Sequence, residues 1–236
     1  MENINTTNVI GITVGIRFSR SFRIPDISGE IIDEVLYHEK SPFGERFFPN
    51  IQENSAREKT LHNPETSEYL RLNTDDLILA IKVDNNFKER FNWLKENVIS
   101  YFKDTLFQKY GIKNIRRLGI IFTHKIEREE NITRKFVPKF QGELQNAKNF
   151  HASFSKKDSA IEALIRKGVN DYKNYIYNMW QFKNKIILDL DCQYYYEPIV
   201  EDLRDCSAET FLDGASNFLN DNFYGWLNKD ETKKNK

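Results

Sequence analysis

The sequence contains few cysteines and begins with a polar segment. Its two thiols, Cys192 and Cys206, show no C-x-x-C or other metal-binding spacing, and two cysteines cannot form a disulfide framework. A reducing compartment is therefore the simplest expectation. Residues 1–8 lack both the positive charge and the apolar run of a secretory signal. We therefore expect a cytoplasmic protein.

Long apolar runs and an excess of one charge are also missing. No apolar stretch approaches the roughly 20 residues needed to cross a bilayer, so we expect no membrane span. Lys plus Arg and Asp plus Glu both total 35, which gives a net charge of zero. A neutral molecule has no general attraction for a phosphate backbone. Nucleic-acid binding would therefore need a local basic patch.

The common catalytic motifs are absent as well. His38, His62, His124 and His151 are scattered and form no H-x-x-x-H or H-E-x-x-H pair, so no zinc site is indicated. There is no G-x-S-x-G elbow, no Gly-rich phosphate loop and no dinucleotide fingerprint. We therefore predict no metal site and no cofactor, although an enzyme without familiar motifs is not excluded.

Two amphipathic helices are the clearest features that are present. Residues 87–110 place apolar side chains at steps of three or four, with charged side chains between them. Asn86 is a candidate cap at the start, and Gly111 can end the helix in the left-handed conformation. Residues 208–227 show the same pattern, with Ser207 as the candidate cap. Large rings contribute much buried area, so we interpret the apolar stripes as core.

Several segments have the alternation of strands. Residues 9–18 alternate strictly between apolar and other residues. Residues 68–72 and 77–83 flank a polar turn and predict an antiparallel hairpin. Further strand-like runs are found at residues 115–124, 150–154, 172–182 and 185–196, of which the last two are joined by a turn at 183–184.

Two features near the amino terminus allow more detailed predictions. Gly11 and Gly15 leave the second face of the first strand flat, which we interpret as room for the close approach of another backbone. A short helix is predicted over residues 30–37 because apolar side chains form a helical stripe there. Ser28 is its candidate cap.

Three segments have less regular patterns. Residues 40–67 are rich in proline and polar side chains and predict an irregular connection with one edge strand near 47–51. Residues 125–149 form a second polar interval that separates two halves of the fold. Residues 161–167 fit either a short helix or a strand, and both assignments remain open.

Together these elements predict a single α+β domain over residues 1–228 and a disordered, charged tail at 229–236. The strands are expected to form a curved antiparallel sheet with the two long helices on one face. Each half, 9–124 and 150–228, closes a hairpin with an amphipathic helix. A duplicated strand–strand–helix unit is therefore a hypothesis about the architecture.

Two short strand motifs stand beside the long helices. Residues 116–122 read Arg-Arg-Leu-Gly-Ile-Ile-Phe after the first helix, and residues 187–191 read Ile-Leu-Asp-Leu-Asp before the last. With the opening strand and the hairpin, this order resembles a sporadically distributed family of uncharacterised bacterial proteins over nearly the whole chain. Ile121 stands where that family has a second arginine. The resemblance implies patchy occurrence among bacteria, as in mobile elements or antiviral defence neighbourhoods, and it implies no reaction.

One pair of carboxylates is a candidate for catalysis. Asp189 and Asp191 lie two apart in a strand, so both should project from one face, where they could bind a divalent metal ion. A metal site needs further ligands, which the sequence does not place. Alternating charge on a strand usually marks its solvated face. We therefore favour a structural role for both aspartates.

One basic group is a candidate for binding. Lys113, Arg116 and Arg117 are the densest cations, and Tyr195 is the ring of its tyrosine cluster that should point to the outer side. Arginines and exposed rings together can bind single-stranded nucleic acid. The charge balance lacks the basic excess of most nucleic-acid-binding proteins, so a protein partner is favoured. Self-association into a homo-oligomer also remains open.

The favoured function is accordingly a non-catalytic interaction or sensing component of a bacterial system, in which the chain binds a partner protein. The antiviral part of this prediction follows from the family resemblance alone. Two alternatives remain: a metal-dependent phosphodiester hydrolase that uses Asp189 and Asp191, and a nucleic-acid-binding protein that uses Arg116 and Arg117.

Overall fold

Nine strands form one curved antiparallel sheet in the computed structural model, which describes residues 4–44, 50–55, 58–126, 151–159, 169–182 and 185–228. The predicted tail and the undecided segment 161–167 lie outside these residues. The strands are β1 (Val9–Phe18), β2 (Asn50–Ser55), β3 (Glu58–Asn63), β4 (Glu68–Asn73), β5 (Asp76–Lys82), β6 (Ile115–Ile126), β7 (His151–Ser159), β8 (Tyr172–Phe182) and β9 (Lys185–Val200).

Within the described residues, three helices of more than ten residues accompany the sheet. The first, α1, spans Arg23–Tyr37. The second, α2 (87–110), is continuous and contains two π-helical stretches, Leu94–Ile99 and Phe102–Leu106. The third, α3 (208–227), follows a short 3-10 helix. Gly111 has φ +62° at the end of α2, as predicted, because glycine takes the left-handed conformation without a Cβ clash.

The strand order is nearly symmetric about the central pair β1 and β6, with one additional strand, β2, at the edge on the β1 side. Across the sheet it runs β2-β3-β4-β5-β1-β6-β9-β8-β7, and each neighbouring pair is antiparallel. Outward from β1 come β5, β4 and β3, while outward from β6 come β9, β8 and β7. This symmetry relates β1 to β6, which both begin within residues 9–124, so it differs from a repeat of the predicted halves 9–124 and 150–228. Duplication itself stays a prediction, which superposition of residues 9–124 on 150–228 would test.

The sheet has two chemically different faces. Its inner face carries buried apolar side chains, such as Ile16, Ile120 and Leu190. The long helices lie on this face: Phe122 of β6 contacts Phe91 of α2 at 6.3 Å between ring centroids. In α3, Phe218 stacks on Tyr175 of β8 at 3.8 Å. The predicted α+β fold, with a curved sheet and two long helices, is thereby confirmed.

Helix α1 belongs to the same layer. The hydroxyl of Tyr101 in α2 donates to the carbonyl oxygen of Glu34 at 2.8 Å, and Tyr110 donates to Glu30 in the same way at 2.8 Å. Both bonds satisfy phenol groups that burial would otherwise leave unpaired. They fix the end of α2 against α1. No helix within the described ranges combines the length and apolar content needed to span a membrane.

One polar side chain lies at the centre of this apolar layer. His124 is fully buried on β6. Its Nε2 lies 2.9 Å from the hydroxyl of Tyr224 on α3, and its Nδ1 lies 3.1 Å from the carbonyl oxygens of Phe122 and Leu188. Burial lowers the pKa of His124 to about 4. The neutral imidazole therefore acts as a hydrogen-bonded link between the sheet and α3.

Some predictions for residues 23–67 were wrong. Helix α1 begins at Arg23 rather than at residue 30, because Pro25 is tolerated in a first helical turn, whose backbone N–H groups have no partner within the helix. Ser28 does not cap it, since its hydroxyl donates to the carbonyl oxygen of Pro25 at 2.9 Å. The edge strand predicted near 47–51 corresponds to β2, which spans Asn50–Ser55 at the edge of the sheet, and a second strand, β3, was not predicted.

The predicted caps and glycine contacts were also wrong. Asn86 makes no cap bond; its side chain instead accepts from the backbone N–H of Asp84 at 3.1 Å. Ser207 has φ +48° and likewise makes no side-chain cap bond. A Cβ at Gly11 would lie 3.5 Å from its nearest neighbour and one at Gly15 would lie 3.8 Å away, which are ordinary contacts. The close backbone approach predicted there is therefore absent.

Candidate functional site

The outer face of the sheet, opposite the helix layer, holds an ordered polar cluster. It spans four consecutive strands, β6, β9, β8 and β7. Arg117 on β6 pairs in register with Tyr195 on β9, and Tyr195 pairs with Tyr172 on β8. Lys157 on β7 completes the row, because its ammonium lies over the Tyr172 ring. We call these four side chains the outer-face stack.

The stack places two aromatic rings between two cations. The Tyr172 and Tyr195 rings are parallel, with centroids 4.6 Å apart and an interplanar angle of 9°. The Lys157 ammonium lies 3.6 Å from the Tyr172 centroid, and the Arg117 guanidinium carbon lies 5.6 Å from that of Tyr195. Since β7 and β6 flank the two tyrosine strands, the cations occupy the two ends of the ring pair. Such cation–π contacts stabilise the row by about 0.5–2 kcal/mol each.

A chain of hydrogen bonds runs along the outer face from the stack to the acidic residues. The Arg117 Nη1 group donates to the Tyr195 hydroxyl at 3.2 Å. That hydroxyl donates to Oε1 of Gln193 at 2.8 Å, and Nε2 of Gln193 donates to Oδ2 of Asp191 at 2.6 Å. The Tyr195 hydroxyl and the Gln193 amide each accept one hydrogen bond and donate the next. The positions of a cation and an anion are therefore fixed relative to each other.

The two aspartates lie at the acidic end of this cluster. Asp189 pairs in register with Thr123, and Asp191 with Ile121, so both are on the outer face. Burial raises the pKa of Asp189 to about 6 and also raises that of Asp191. Oδ1 of Asp189 is buried and has no hydrogen-bond partner among the described residues. A buried oxygen of this kind costs free energy until a donor reaches it.

A metal centre has no further support at this position. Within the described part of the chain, no group of three or more His, Cys, Asp or Glu side chains could hold a metal ion. Asp189 and Asp191 supply two carboxylates, and Asp191 is already bound to Gln193. Hard divalent cations require about six oxygen ligands. Among the described residues, these two carboxylates alone would leave most of such a coordination sphere unfilled.

The structure brings only part of the predicted basic group together. Arg117 and Tyr195 are in contact, as described above. Lys113 instead pairs with Glu201 at 2.8 Å, which raises its pKa, while Arg116 is exposed. Three members of the cluster, Tyr172, Lys157 and Gln193, were not placed there from the sequence. Lys157 reaches it through the pairing of β7 with β8, Tyr172 through the β8–β9 hairpin, and Gln193 as a near neighbour of Tyr195 on β9.

Comparisons with known proteins are uninformative about function. No protein-family model matches the chain, and no curated protein does. Among solved structures the chain is similar to Methanococcus jannaschii TBP, with a TM-score of 0.29 and 7% sequence identity. That alignment covers 77% of this chain and 86% of the other. A similarity at this level informs neither fold nor function.

Proposed function

We propose that this protein is a non-catalytic interaction component that binds a partner protein through the outer face of its sheet. One observation carries the proposal. A hydrogen-bonded chain with a cation at one end and an anion at the other is fixed on the face opposite the helix layer. A surface with fixed charges of both signs can select a partner with the complementary pattern.

The acidic end gives a second reason to expect a partner. Oδ1 of Asp189 is buried without a hydrogen bond from the described residues, although burial makes an ionised carboxylate costly. A guanidinium or amide group of a partner would supply the missing donor. The complementary partner surface therefore carries a donor opposite Asp189 and an acid opposite Arg117 and Lys157.

The stack is poorly arranged for binding nucleic-acid bases. Bases bind by stacking on free aromatic faces. Here the facing sides of Tyr172 and Tyr195 cover each other, and Lys157 and Arg117 lie at the outer sides. A base could reach a ring face only by displacing Lys157 or Arg117, which are also the cations that would neutralise its phosphate. This geometry favours contacts with ring edges, hydroxyls and charged groups, which are typical of protein interfaces.

The wider role in a bacterial, antiviral system is proposed from the family resemblance alone. The hydrolase alternative keeps a direct test: a metal-dependent phosphodiesterase activity that is lost in a folded Asp189→Ala protein would favour it.

The proposal predicts that exchanging the two outer-face charges abolishes partner binding. The double variant Arg117→Glu/Asp191→Lys reverses both ends of the hydrogen-bonded chain and leaves the net charge unchanged. We expect at least about tenfold weaker recovery of the partner that the wild-type chain retains from cells of its source organism. The readout is quantitative co-purification, with circular dichroism to confirm folding.

A matched control exchanges a salt bridge on the helix layer. Lys95 of α2 and Asp213 of α3 are 2.8 Å apart, and Lys95→Asp/Asp213→Lys also preserves the net charge. This control should retain the partner. If the outer-face exchange unfolds the chain, the exposed Lys157→Glu variant supplies the comparison instead. Equal recovery in outer-face and control variants contradicts the proposal.

A further inference from the structure

A second charged region lies at one end of the sheet, where β1 ends and β6 begins. A cleft of about 240 Å³ opens there between the start of α1 and the end of α2. Its polar lining comprises Ser19, Arg20, Ser21, Arg23, Lys113 and Asn114. We call this the basic cleft.

The cleft is assembled from two distant chain segments. The backbone N–H of Ser19 donates to the carbonyl oxygen of Asn114 at 2.9 Å, which joins residues 17–23 to residues 113–117. At the neighbouring rung, Arg17 pairs in register with Arg117. Like charges directly opposite each other on a sheet are destabilising. On its other side Arg17 pairs in register with Asp76 of β5, and its guanidinium lies 3.5 Å from the Asp75 carboxylate.

Cations line the cleft itself, and no Asp or Glu is among its described lining residues. Asp75 is shared between Arg17 at 3.5 Å and Arg20 at 4.0 Å, and Glu201 pairs with Lys113. Within the described ranges, no ion pair is made by Arg23 or Arg116. Three cations, Arg20, Arg23 and Lys113, therefore line the cleft, while Arg17, Arg116 and Arg117 lie outside its lining.

We propose that the basic cleft binds the phosphate group of a small ligand. Two guanidinium groups and one ammonium supply charge-assisted donors for the oxygens of a dianion. The hydroxyls of Ser19 and Ser21 and the amide of Asn114 add neutral donors at the same opening. This assignment goes beyond the proposed protein-binding face, which lies on the outer side of the sheet.

The size of the cleft narrows the ligand class. Pockets that enclose drug-sized ligands measure about 300–1,000 Å³. A cleft of about 240 Å³ is smaller, so it accommodates one phosphate or diphosphate group while the rest of the ligand lies outside. The site therefore recognises a phosphate monoester or diphosphate end rather than a whole nucleotide.

The inference predicts saturable binding of pyrophosphate to the full chain. Isothermal titration calorimetry at constant ionic strength should show one site, and Arg23→Gln and Lys113→Gln should each weaken it at least about tenfold. Lys88→Gln is the matched control, because this exposed lysine stands at the opposite end of α2. It should leave the dissociation constant unchanged.

Three outcomes would overturn the assignment. The first is the absence of saturable heat with pyrophosphate. The second is equal weakening by Lys88→Gln and Arg23→Gln, which would indicate a general charge effect. The third is displacement of pyrophosphate by an oligothymidylate without a terminal phosphate, which would identify the cleft as a nucleic-acid site. A variant that loses the protein partner but still binds pyrophosphate affects only the proposed function. A variant that loses pyrophosphate but keeps the partner affects only this inference.

Discussion

Replacing His124 by glutamine is expected to lower the free energy of unfolding by about 3 kcal/mol near pH 8, because the imidazole bonds to Tyr224 and fills a closed space. This loss should shrink towards zero as the pH approaches about 4. The difference in unfolding free energy between wild type and variant shrinks because burial lowers the pKa of His124 from 6.5 to about 4.

The sign of this pH dependence follows from proton uptake. Above pH 6.5 the imidazole is neutral in both states, and its full contribution to stability is present. As the pH falls towards 4, the unfolded chain binds a proton that the folded chain does not. A difference of 2.5 pKa units, 6.5 minus 4, corresponds to a loss of about 3 kcal/mol. Glutamine does not titrate, so the variant escapes this loss.

Urea unfolding of wild type and variant across this pH range measures the difference directly. The exposed His151→Gln variant is the control and should follow the wild type within about 0.5 kcal/mol. A gap between wild type and His124→Gln that stays constant with pH would show that His124 is not held neutral in the core.

Replacing Asp189 by asparagine is expected to raise the free energy of unfolding by up to about 3 kcal/mol near pH 8. The pKa of Asp189 is raised by burial from 3.8 to about 6. The ionised carboxylate is therefore less stable in the folded chain than in the unfolded one. Asparagine removes the charge and keeps the shape, although the solvent-exposed part of the side chain reduces the gain.

The gain should disappear at low pH. As the pH falls from 6 towards 3.8, the folded wild type takes up a proton at Asp189 before the unfolded chain does, so wild type recovers the lost stability. Urea unfolding near pH 8 and pH 4 tests this, with the exposed Asp221→Asn variant as control. A destabilised Asp189→Asn protein near pH 8 would show that the charge is already satisfied.

The two titrations oppose each other over the same range. Between pH 6 and 4, proton uptake by Asp189 in the folded chain raises the free energy of unfolding. Proton uptake by His124 in the unfolded chain lowers it by about the same amount. The contributions of these two groups should therefore nearly cancel there, and each single variant should reveal the pH dependence that the other group contributes. An aspartate that lowers stability is also typical of residues retained for binding.

The sequence predicted the elements whose periodicity is continuous. Strand β1 and helices α2 and α3 keep their apolar spacing from end to end, and the structure confirms them. Helix α1 was predicted to start too late, because Ser28 looked like a cap and Pro25 like a break. Strand β3 was missed because polar residues and prolines dominate 40–67, while its pairing with β4 comes from contacts outside the segment.

The spacing of residues in the sequence does not contain all the information needed to predict the outer-face stack. Tyr172 and Tyr195 could have been paired, since a two-residue turn at 183–184 sets the hairpin register that the structure shows. Lys157 could not, because the order of β7 relative to β8 depends on long-range pairing. The same holds for Arg17, which meets Arg117 only because β1 and β6 are central neighbours.

The most direct test of the account is hydroxyl-radical footprinting of the chain with and without its bound partner. The outer-face proposal predicts reduced oxidation of Tyr172 and Tyr195 in the complex, with unchanged oxidation of Trp226, which is 38% exposed on α3. Protection of Trp226 with no change at either tyrosine would place the partner on the helix layer and contradict the account.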